Sequence, residues 1–111
     1  MVKAQTYINK KYPLSFSLLS MFNQKRSEVR ELNLRSRGLE GDLDLRDFVN
    51  LTELYCSSNQ LTSLNLNGLS RLRILDCRSN TLKNLNLKNC ISIAHLDTSY
   101  NDLNEIDLSS L

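Results

Sequence analysis

Apolar residues return along most of this chain at a fixed spacing of 21 positions. Three successive copies of the pattern begin at residues 51, 72 and 93, and each places apolar side chains at the same seven positions, with Thr98 as the one polar exception. In the first of these copies the positions are Leu51, Leu54, Cys56, Leu61, Leu64, Leu66 and Leu69. A period of this length, held without a gap, predicts a solenoid built from stacked repeats.

A less regular copy precedes these three and runs from Val29 to Phe48. It carries one extra residue between Leu39 and Leu43, and Arg37 stands where the later copies have asparagine. We interpret this copy as the edge turn of the solenoid. The predicted repeats are therefore 29–50, 51–71, 72–92 and 93–111.

The local spacing within one repeat predicts its secondary structure. Leu54, Tyr55 and Cys56 alternate between inward and outward positions, which is typical of a strand with one buried face, and Leu64, Asn65 and Leu66 alternate again. Stacking the repeats would place like residues above one another at about 4.8 Å and close a continuous core. We expect a parallel β-sheet on the concave face and extended chain or short strands on the convex side.

The first 28 residues fit a helical cap. Ala4, Ile8 and Tyr12 are spaced as one face of a helix that Pro13 ends, and the run 14–22 offers a second stripe of the same period. A solenoid needs such a cap because an end repeat otherwise exposes its leucines to water. The alternative is an interaction helix that leaves the body of the protein.

Two columns of residues suggest structural roles. Asn59, Asn80 and Asn101 occupy the same place in their repeats, where an amide can satisfy the buried backbone groups of a sharp turn. Cys56 and Cys77 share an inward column, which predicts buried thiols that pack as small apolar residues. Because no C-x-x-C spacing is present, we expect neither a metal site nor a cofactor.

The frame L-x-x-L-x-C-x-x-N-x-L-x-x-L-x-L, carried by residues 51–66, resembles the leucine-rich-repeat superfamily. It is similar to the cysteine-ladder type of repeat found in internalin-like arrays and in sets of uncharacterised fungal proteins. The resemblance covers residues 29–111 and implies a right-handed solenoid that recognises protein through its strand face. It implies no shared ligand, and the chain differs from internalins in having no evident secretion signal or anchor.

Charge and composition exclude several classes of function. Residues 1–28 carry a formal charge of +4 and the remainder −2, and a mildly acidic repeat array does not suit nucleic acid. No apolar run reaches the length of about 18 residues that a membrane-spanning helix needs. The three cysteines, an odd count, indicate a reducing compartment, so we expect a cytoplasmic protein, with secretion as the alternative.

Catalysis is not expected either. His95, Asp97 and Ser99 would project from one strand face, but neighbours on the same face of a strand stand about 7 Å apart, too far for a hydrolytic relay. We therefore predict a protein that is not an enzyme.

The outward residues of the strands are the candidate recognition surface. They form three columns: Glu31, Glu53, Ile74 and His95; Asn33, Tyr55, Asp76 and Asp97; Arg35, Ser57, Arg78 and Ser99. Since outward residues are free of packing constraints, and since tyrosine and arginine often anchor interfaces, this surface predicts binding of an unidentified protein. The predicted partner-binding residues are Tyr55, Asp76, Arg78, His95, Asp97 and Tyr100.

Other interpretations of the same surface and of the chain's end remain open. The strand face could be an ordinary solvated surface. Stacked Asp76 and Asp97 would repel each other, a cost that a basic partner would relieve. The chain could instead be a structural or assembly fragment that forms a homo-oligomer through an uncapped C-terminal repeat ending at Leu111.

Overall fold

The computed structural model describes residues 2–13, 25–103 and 106. Within these residues the chain is a parallel β-solenoid in which successive turns contribute strands to two sheets, which we call the front and back sheets. The front sheet contains β2 (Glu31–Asn33), β4 (Glu53–Tyr55), β6 (Ile74–Asp76) and β8 (His95–Asp97). The back sheet contains β1 (Val2–Lys3), β3 (Leu39–Asp44), β5 (Gln60–Asn65) and β7 (Asn84–Asn86). Among the described residues before β2 are one helix, α1 (Ala4–Lys11), and a 3₁₀ turn (Arg26–Glu28).

The register of the front sheet matches the predicted columns. Leu32 pairs with Leu54, Leu54 with Leu75, and Leu75 with Leu96, so each strand lies one repeat above the last without a slip. Side chains alternate between the two faces of a strand, and this register therefore sends one leucine column inward and its two neighbouring columns outward.

The back sheet has a single irregularity in its described pairing. The register between β3 and β5 shifts between Gly41 and Asp42. The shift lies within the stretch where the first repeat has its extra residue, between Leu39 and Leu43. Gly41 pairs with Leu61 and Asp42 with Ser63, so the unpaired residue of this β-bulge is Thr62 of β5. The bulged residue therefore lies in the second repeat, although the longer spacing in the sequence is in the first.

The core is an aliphatic stack between the two sheets. Leu54 and Cys56 from the front and Leu61 and Leu64 from the back are all at most 1% exposed. Burial decreases in the fourth repeat, where Leu96 is only partly buried, because the described part of the chain places no further strand over β8. Leu108 and Leu111, and with them the predicted open C-terminal edge, lie outside the described residues.

The N-terminal segment closes the other end of the core. The predicted stripe is confirmed: Ala4 and Ile8 are fully buried, and Tyr12 contacts the Phe48 ring edge-on at 5.3 Å. Helix α1 ends at Lys11, before Pro13. The second predicted stripe, 14–22, lies outside the described residues.

Two contacts of this segment were not predicted. Val2 and Lys3 pair in parallel with β3 as an additional strand. The Gln5 side chain then continues that pairing, because its amide accepts a hydrogen bond from the Asp44 N–H at 2.6 Å and donates one to the Asp44 carbonyl at 3.3 Å. The helix therefore begins where strand pairing stops. The Gln5 amide satisfies the backbone N–H and C=O of Asp44, which a further strand would otherwise pair.

Arg26 fastens α1 to the first repeat. Its guanidinium group is 8% exposed and donates hydrogen bonds to the Tyr12 carbonyl at 2.9 Å and the Asn9 side chain at 2.8 Å. It lies 5.3 Å from the centre of the Phe48 ring, with Asp47 as a more distant ion partner at 3.7 Å. Burial lowers the pKa of Arg26, and the two neighbouring carboxylates Asp47 and Asp44 oppose that shift.

Candidate functional site

Five of the six predicted partner-binding residues line one groove. We use the term strand face for the three predicted outward columns of the front sheet. The groove lies on this face and has a volume of about 470 Å³. Its lining residues are Tyr55, Ile74, Leu75, Asp76, Arg78, Ala94, His95, Leu96 and Asp97. Tyr100 is outside that set and stands 82% exposed beyond β8.

Tyr55 is held in place from two sides. The Arg35 guanidinium lies over its ring at 4.1 Å, and its hydroxyl donates a 2.6 Å hydrogen bond to a carboxylate oxygen of Glu53. That hydrogen bond is the main cause of the raised pKa of Tyr55, since ionisation would place two anions in contact. These two contacts therefore hold the ring in one position.

Arg78 connects the two stacked aspartates. Its Nε lies 3.3 Å from Asp76 and its Nη1 lies 4.0 Å from Asp97. The repulsion predicted between these carboxylates is therefore offset in part by a cation of the chain itself. Hydrogen bonds from Ser99, with a smaller contribution from Arg78, lower the pKa of Asp97.

The third outward column needs one correction. Arg35, Arg78 and Ser99 are exposed as predicted, but Ser57 is only 5% exposed. Strand β4 already ends at Tyr55, so Ser57 belongs to the turn. The carbonyl of Ser57 accepts hydrogen bonds from the Asn59 amide at 3.2 Å and the Ser36 N–H at 3.1 Å. The carbonyls of Arg78 and Ser99 accept the corresponding bonds although both residues are exposed, so these bonds do not account for the burial of Ser57.

Strands in both sheets end in the same kind of hydrogen-bonded turn. In the back sheet the last strand residue is Asp44, Asn65 or Asn86, and its side-chain oxygen accepts a hydrogen bond from the backbone N–H two residues later, at 3.0–3.1 Å. In the front sheet Asn33, Asp76 and Asp97 do the same at 3.0–3.3 Å. Such Asx turns satisfy a backbone donor at the point where the chain leaves the ladder, so aspartate and asparagine at these positions have a structural role.

Tyr55 is the exception among these strand ends. A phenol cannot reach back to accept the N–H of Ser57, and that donor has no acceptor among the described residues. Front-sheet position 55 therefore lacks a turn hydrogen bond that the six other described strand ends of β2 to β8 possess. Tyr55 was predicted as a partner-binding residue from its side-chain type alone, and not from this missing turn acceptor.

The asparagines predicted as structural bind backbone groups in adjacent repeats. The Asn80 amide donates to the carbonyls of Cys56 and Cys77, both at 3.0 Å, while its oxygen accepts the Leu61 N–H at 3.1 Å. Asn59 and Asn101 make the corresponding bonds one repeat earlier and one later. Each of these amides therefore joins the end of the front sheet to the backbone entering the back sheet.

All three cysteines are buried free thiols. Burial raises the pKa of Cys77 to about 12 and raises that of Cys56 as well. The Cys90 thiol lies 3.1 Å from the Leu66 carbonyl, and burial raises its pKa too. Since the thiolate is the reactive form, these groups are chemically inert in the folded protein.

The three residues considered for a hydrolytic relay do not form one. Ser99 donates to Asp97 at 2.6 Å, whereas the His95 imidazole forms no hydrogen bond with any described side chain. Within the described ranges no group of histidine, cysteine or acidic residues is arranged to hold a metal ion. None of the helices in those ranges is long and apolar enough to cross a membrane.

A second groove, of about 610 Å³, lies where α1 meets the back sheet. Its lining comprises Lys3, Gln5, Thr6, Glu40, Gly41, Asp42, Gln60, Thr62 and Thr81. The carboxylate of Asp42 accepts hydrogen bonds from Thr62 at 3.1 Å and from Ser63 at 2.7 Å. The groove contains none of the predicted partner-binding residues, and it supplies a matched surface for controls.

No family model, curated protein or solved structure matches the chain. The resemblance to leucine-rich repeats therefore rests on the spacing of residues in the repeats themselves.

Proposed function

We propose that this chain is a leucine-rich-repeat module that recognises another protein through its strand face. One observation carries the proposal: the outward residues chosen for their interface chemistry line a single groove whose aromatic member is already fixed in position. A surface of this kind binds with a smaller loss of side-chain freedom than one whose groups must first become ordered.

The chemistry of the groove supports recognition of protein. Tyrosine and arginine contribute disproportionately to binding free energy when a partner covers them, and the groove places Tyr55 and Arg78 beside the apolar side chains of Ile74 and Ala94. Apolar area flanked by ionic groups is the usual composition of a protein interface. The single imidazole and the hydrogen-bonded carboxylates offer no arrangement for catalysis, so the proposed role is non-enzymatic.

We also propose a reducing compartment, the cytoplasm, as the location of the protein. Three free thiols in a chain of 111 residues are typical of proteins that do not rely on disulfides. Secretion remains the alternative, and measuring where the full-length protein resides in the cells that make it distinguishes the two.

The test of recognition is affinity capture from an extract of the cells that make the protein, with quantitative identification of the captured proteins. The informative variant is Tyr55→Ala combined with Asp76→Asn. Asparagine keeps the oxygen that closes the Asx turn, as Asn33 does in the same column, so this variant removes surface chemistry without removing the turn. The expected result is loss of the captured partner.

The matched control carries Asp42→Asn with Thr62→Ala in the groove of the back sheet. It changes the net charge by the same amount and replaces the same number of side chains as the strand-face variant, but on the back sheet. A partner retained by this control and lost by the strand-face variant supports the proposal. Equal capture by wild type and both variants would contradict recognition through the strand face.

A further inference from the structure

The charge of the strand face is unbalanced, and this imbalance deepens the proposed function, on which the inference rests. The three columns include four carboxylates but only two guanidinium groups. Arg35 is stacked on Tyr55, and Arg78 alone lies between Asp76 and Asp97. The face therefore presents net negative charge although the whole chain has a formal charge of +2.

Of the two carboxylates that line the groove, Asp97 is the less well matched. Its distance of 4.0 Å to Arg78 is the longer of the two ion pairs, and its side chain is 45% exposed, compared with 15% for Asp76. Asp97 thus has an exposed carboxylate with only a weak cationic partner. Ile74 and Ala94 lie along the same groove and provide an apolar surface beside that carboxylate.

Tyr55 bounds the groove on its other side. Arg35 follows β2 and lies over the ring, whereas the remaining lining residues belong to β6, β8 and the chain next to them, on the opposite side of β4. An aromatic ring beside carboxylates and aliphatic side chains suits a lysine or arginine, whose carbon stem packs on apolar surface while its cation contacts acid and ring.

The absence of a turn acceptor at position 55 is an independent observation in favour of a specialised role. Every other described strand end from β2 to β8 keeps aspartate or asparagine, which closes the turn. A tyrosine there leaves the Ser57 donor without that acceptor, so the fold gains nothing from the ring at the turn itself. Its hydrogen bond to Glu53 and the stacking of Arg35 nevertheless hold it rigidly.

We propose that the groove binds an extended, basic segment of the partner protein, with Tyr55 as its anchor and Asp97 as the main carboxylate for its cation. The partner's backbone lies along the groove, its apolar side chains contact Ile74, and a lysine or arginine reaches Asp97. Charge complementarity selects this class of segment over an acidic one.

The experiment uses three acetylated and amidated peptides of equal length, in which lysine, glutamine or glutamate alternates with valine. Binding to the full chain is followed by NMR shifts of the front-strand amides at low ionic strength. The lysine peptide is expected to bind at least about fivefold more tightly than the glutamine peptide and to lose most of that advantage at about 0.5 M salt. The glutamate peptide is expected not to bind.

Variants separate charge from the aromatic anchor. Asp76→Asn with Asp97→Asn keeps both turn acceptors and removes two charges, and it is expected to abolish the preference for lysine. Glu40→Gln with Asp42→Asn removes two charges from the groove of the back sheet and is the matched control, expected to bind as wild type does. Tyr55→Asp is expected to weaken binding about tenfold although it adds a negative charge, while Tyr55→Phe retains binding.

Several results would overturn the inference. Tighter binding of the glutamate peptide, or unchanged lysine binding by the Asp76→Asn, Asp97→Asn variant, would show that the acids do not select the partner. Self-association of the chain in light scattering, lost in that variant, would assign the groove to a second copy. Failure of all three peptides, with capture of a cellular partner still dependent on Tyr55, would reject the basic segment and leave the proposed function standing.

Discussion

The two sheets are made by the same repeats, yet their strand ends differ at one position. In the back sheet the three strand ends of β3, β5 and β7 are aspartate or asparagine, and each closes an Asx turn. In the front sheet three of four do so, and Tyr55 does not. The back sheet shows that the fold favours an Asx-turn acceptor at the last residue of a strand. Tyr55 does not supply that acceptor, so the turn does not explain why a tyrosine stands there.

The comparison also changes how the acidic residues of the front sheet are interpreted. Asp76 and Asp97 attract attention as outward charges, but Asn65 and Asn86 perform the same turn without any charge. The side-chain oxygen at these positions is thus explained by the fold, and only the charge of the two aspartates is available for recognition. Tyr55 has no such structural explanation.

The largest effect is expected where the two sheets are joined. Replacing Asn80 with alanine leaves the Leu61 N–H without its acceptor. It also removes one of the two amide donors to each of the carbonyls of Cys56 and Cys77, which keep those of Asn59 and Asn101. Because these groups are buried, the free energy of unfolding should fall by about 1–3 kcal/mol. Urea denaturation followed by circular dichroism measures the change.

Asn84 provides the control for that substitution. It is an exposed residue of β7 whose side chain makes no hydrogen bond within the described residues, so Asn84→Ala should change stability by no more than about 0.5 kcal/mol. If both alanine variants lost the same small amount, the amide of Asn80 would not join the sheets as the hydrogen bonds indicate.

The corners between the sheets offer a second, somewhat smaller effect. The chain passes from front to back through left-handed backbone at Ser58 and Ser79, and it returns through Gly68 and Asn89. Left-handed backbone costs a side chain with a branched β-carbon roughly 1–2 kcal/mol. Ser79→Val should therefore destabilise the protein by about that amount, whereas Ser79→Asn should leave its melting temperature nearly unchanged.

An equal loss from both Ser79 variants would point to the serine hydroxyl rather than to the backbone angle. Thermal unfolding followed by circular dichroism distinguishes the two, because asparagine and valine differ in their tolerance of the observed φ of 56° while both remove the hydroxyl. Ser58 has a φ of 57° at the same corner one repeat earlier, so the same pair of substitutions there replicates the test.

The repeat spacing was sufficient to predict the parallel front sheet, the extended chain or short strands on the other side, and the inward column of leucines, but not that the other side forms a second four-stranded sheet. It was sufficient because a period of 21 with local alternation admits few arrangements that bury every leucine. The extra residue before Leu43 marked the region of the register shift between Gly41 and Asp42, but it did not predict that the unpaired residue, Thr62, lies in the partner strand β5. These features depend on where apolar residues recur, which the sequence displays directly.

Contacts between distant polar groups could not be predicted in the same way. Arg26 and Gln5 belong to no repeat frame, and their partners are backbone groups of Tyr12 and Asp44 that only the folded chain brings near. The position of the Arg78 guanidinium between two carboxylates depends on a rotamer, and spacing does not specify rotamers. The burial of Ser57 could not be inferred from its position either, because Arg78 and Ser99 at the corresponding positions are exposed.

A reciprocal pair of substitutions tests the difference between the sheets directly. Tyr55→Asn gives position 55 the turn acceptor that it lacks without adding a carboxylate beside Asp76, while Asn65→Tyr removes the acceptor from the back sheet. A hydrogen bond of this kind contributes about 0.5–1.5 kcal/mol, so Asn65→Tyr should destabilise by about 1 kcal/mol. Tyr55→Asn should be neutral or slightly stabilising, because the new turn bond offsets the lost contacts with Arg35 and Glu53.

Differential scanning calorimetry of the two variants beside wild type provides the comparison. Should Tyr55→Asn lose as much stability as Asn65→Tyr, the tyrosine would itself be a structural element of the front sheet. Position 55 would then not be reserved for recognition, whatever the variant does to binding.

The smallest effect concerns charge at a strand end of the back sheet. The hydrogen bond from the Arg46 side chain lowers the pKa of Asp44. A carboxylate whose pKa is depressed on folding stabilises the protein above its ordinary value of 3.8, and that contribution is lost as the pH falls through the lower folded value. Asp44→Asn keeps the turn acceptor and removes only the ion pair, which is largely exposed, so the loss at neutral pH should be at most a few tenths of a kcal/mol. The measurement is the urea midpoint of wild type and variant across the acid range, and the two midpoints should converge as the pH falls below 3.8. A difference that persisted at the acid end would assign the effect to the turn instead of the charge.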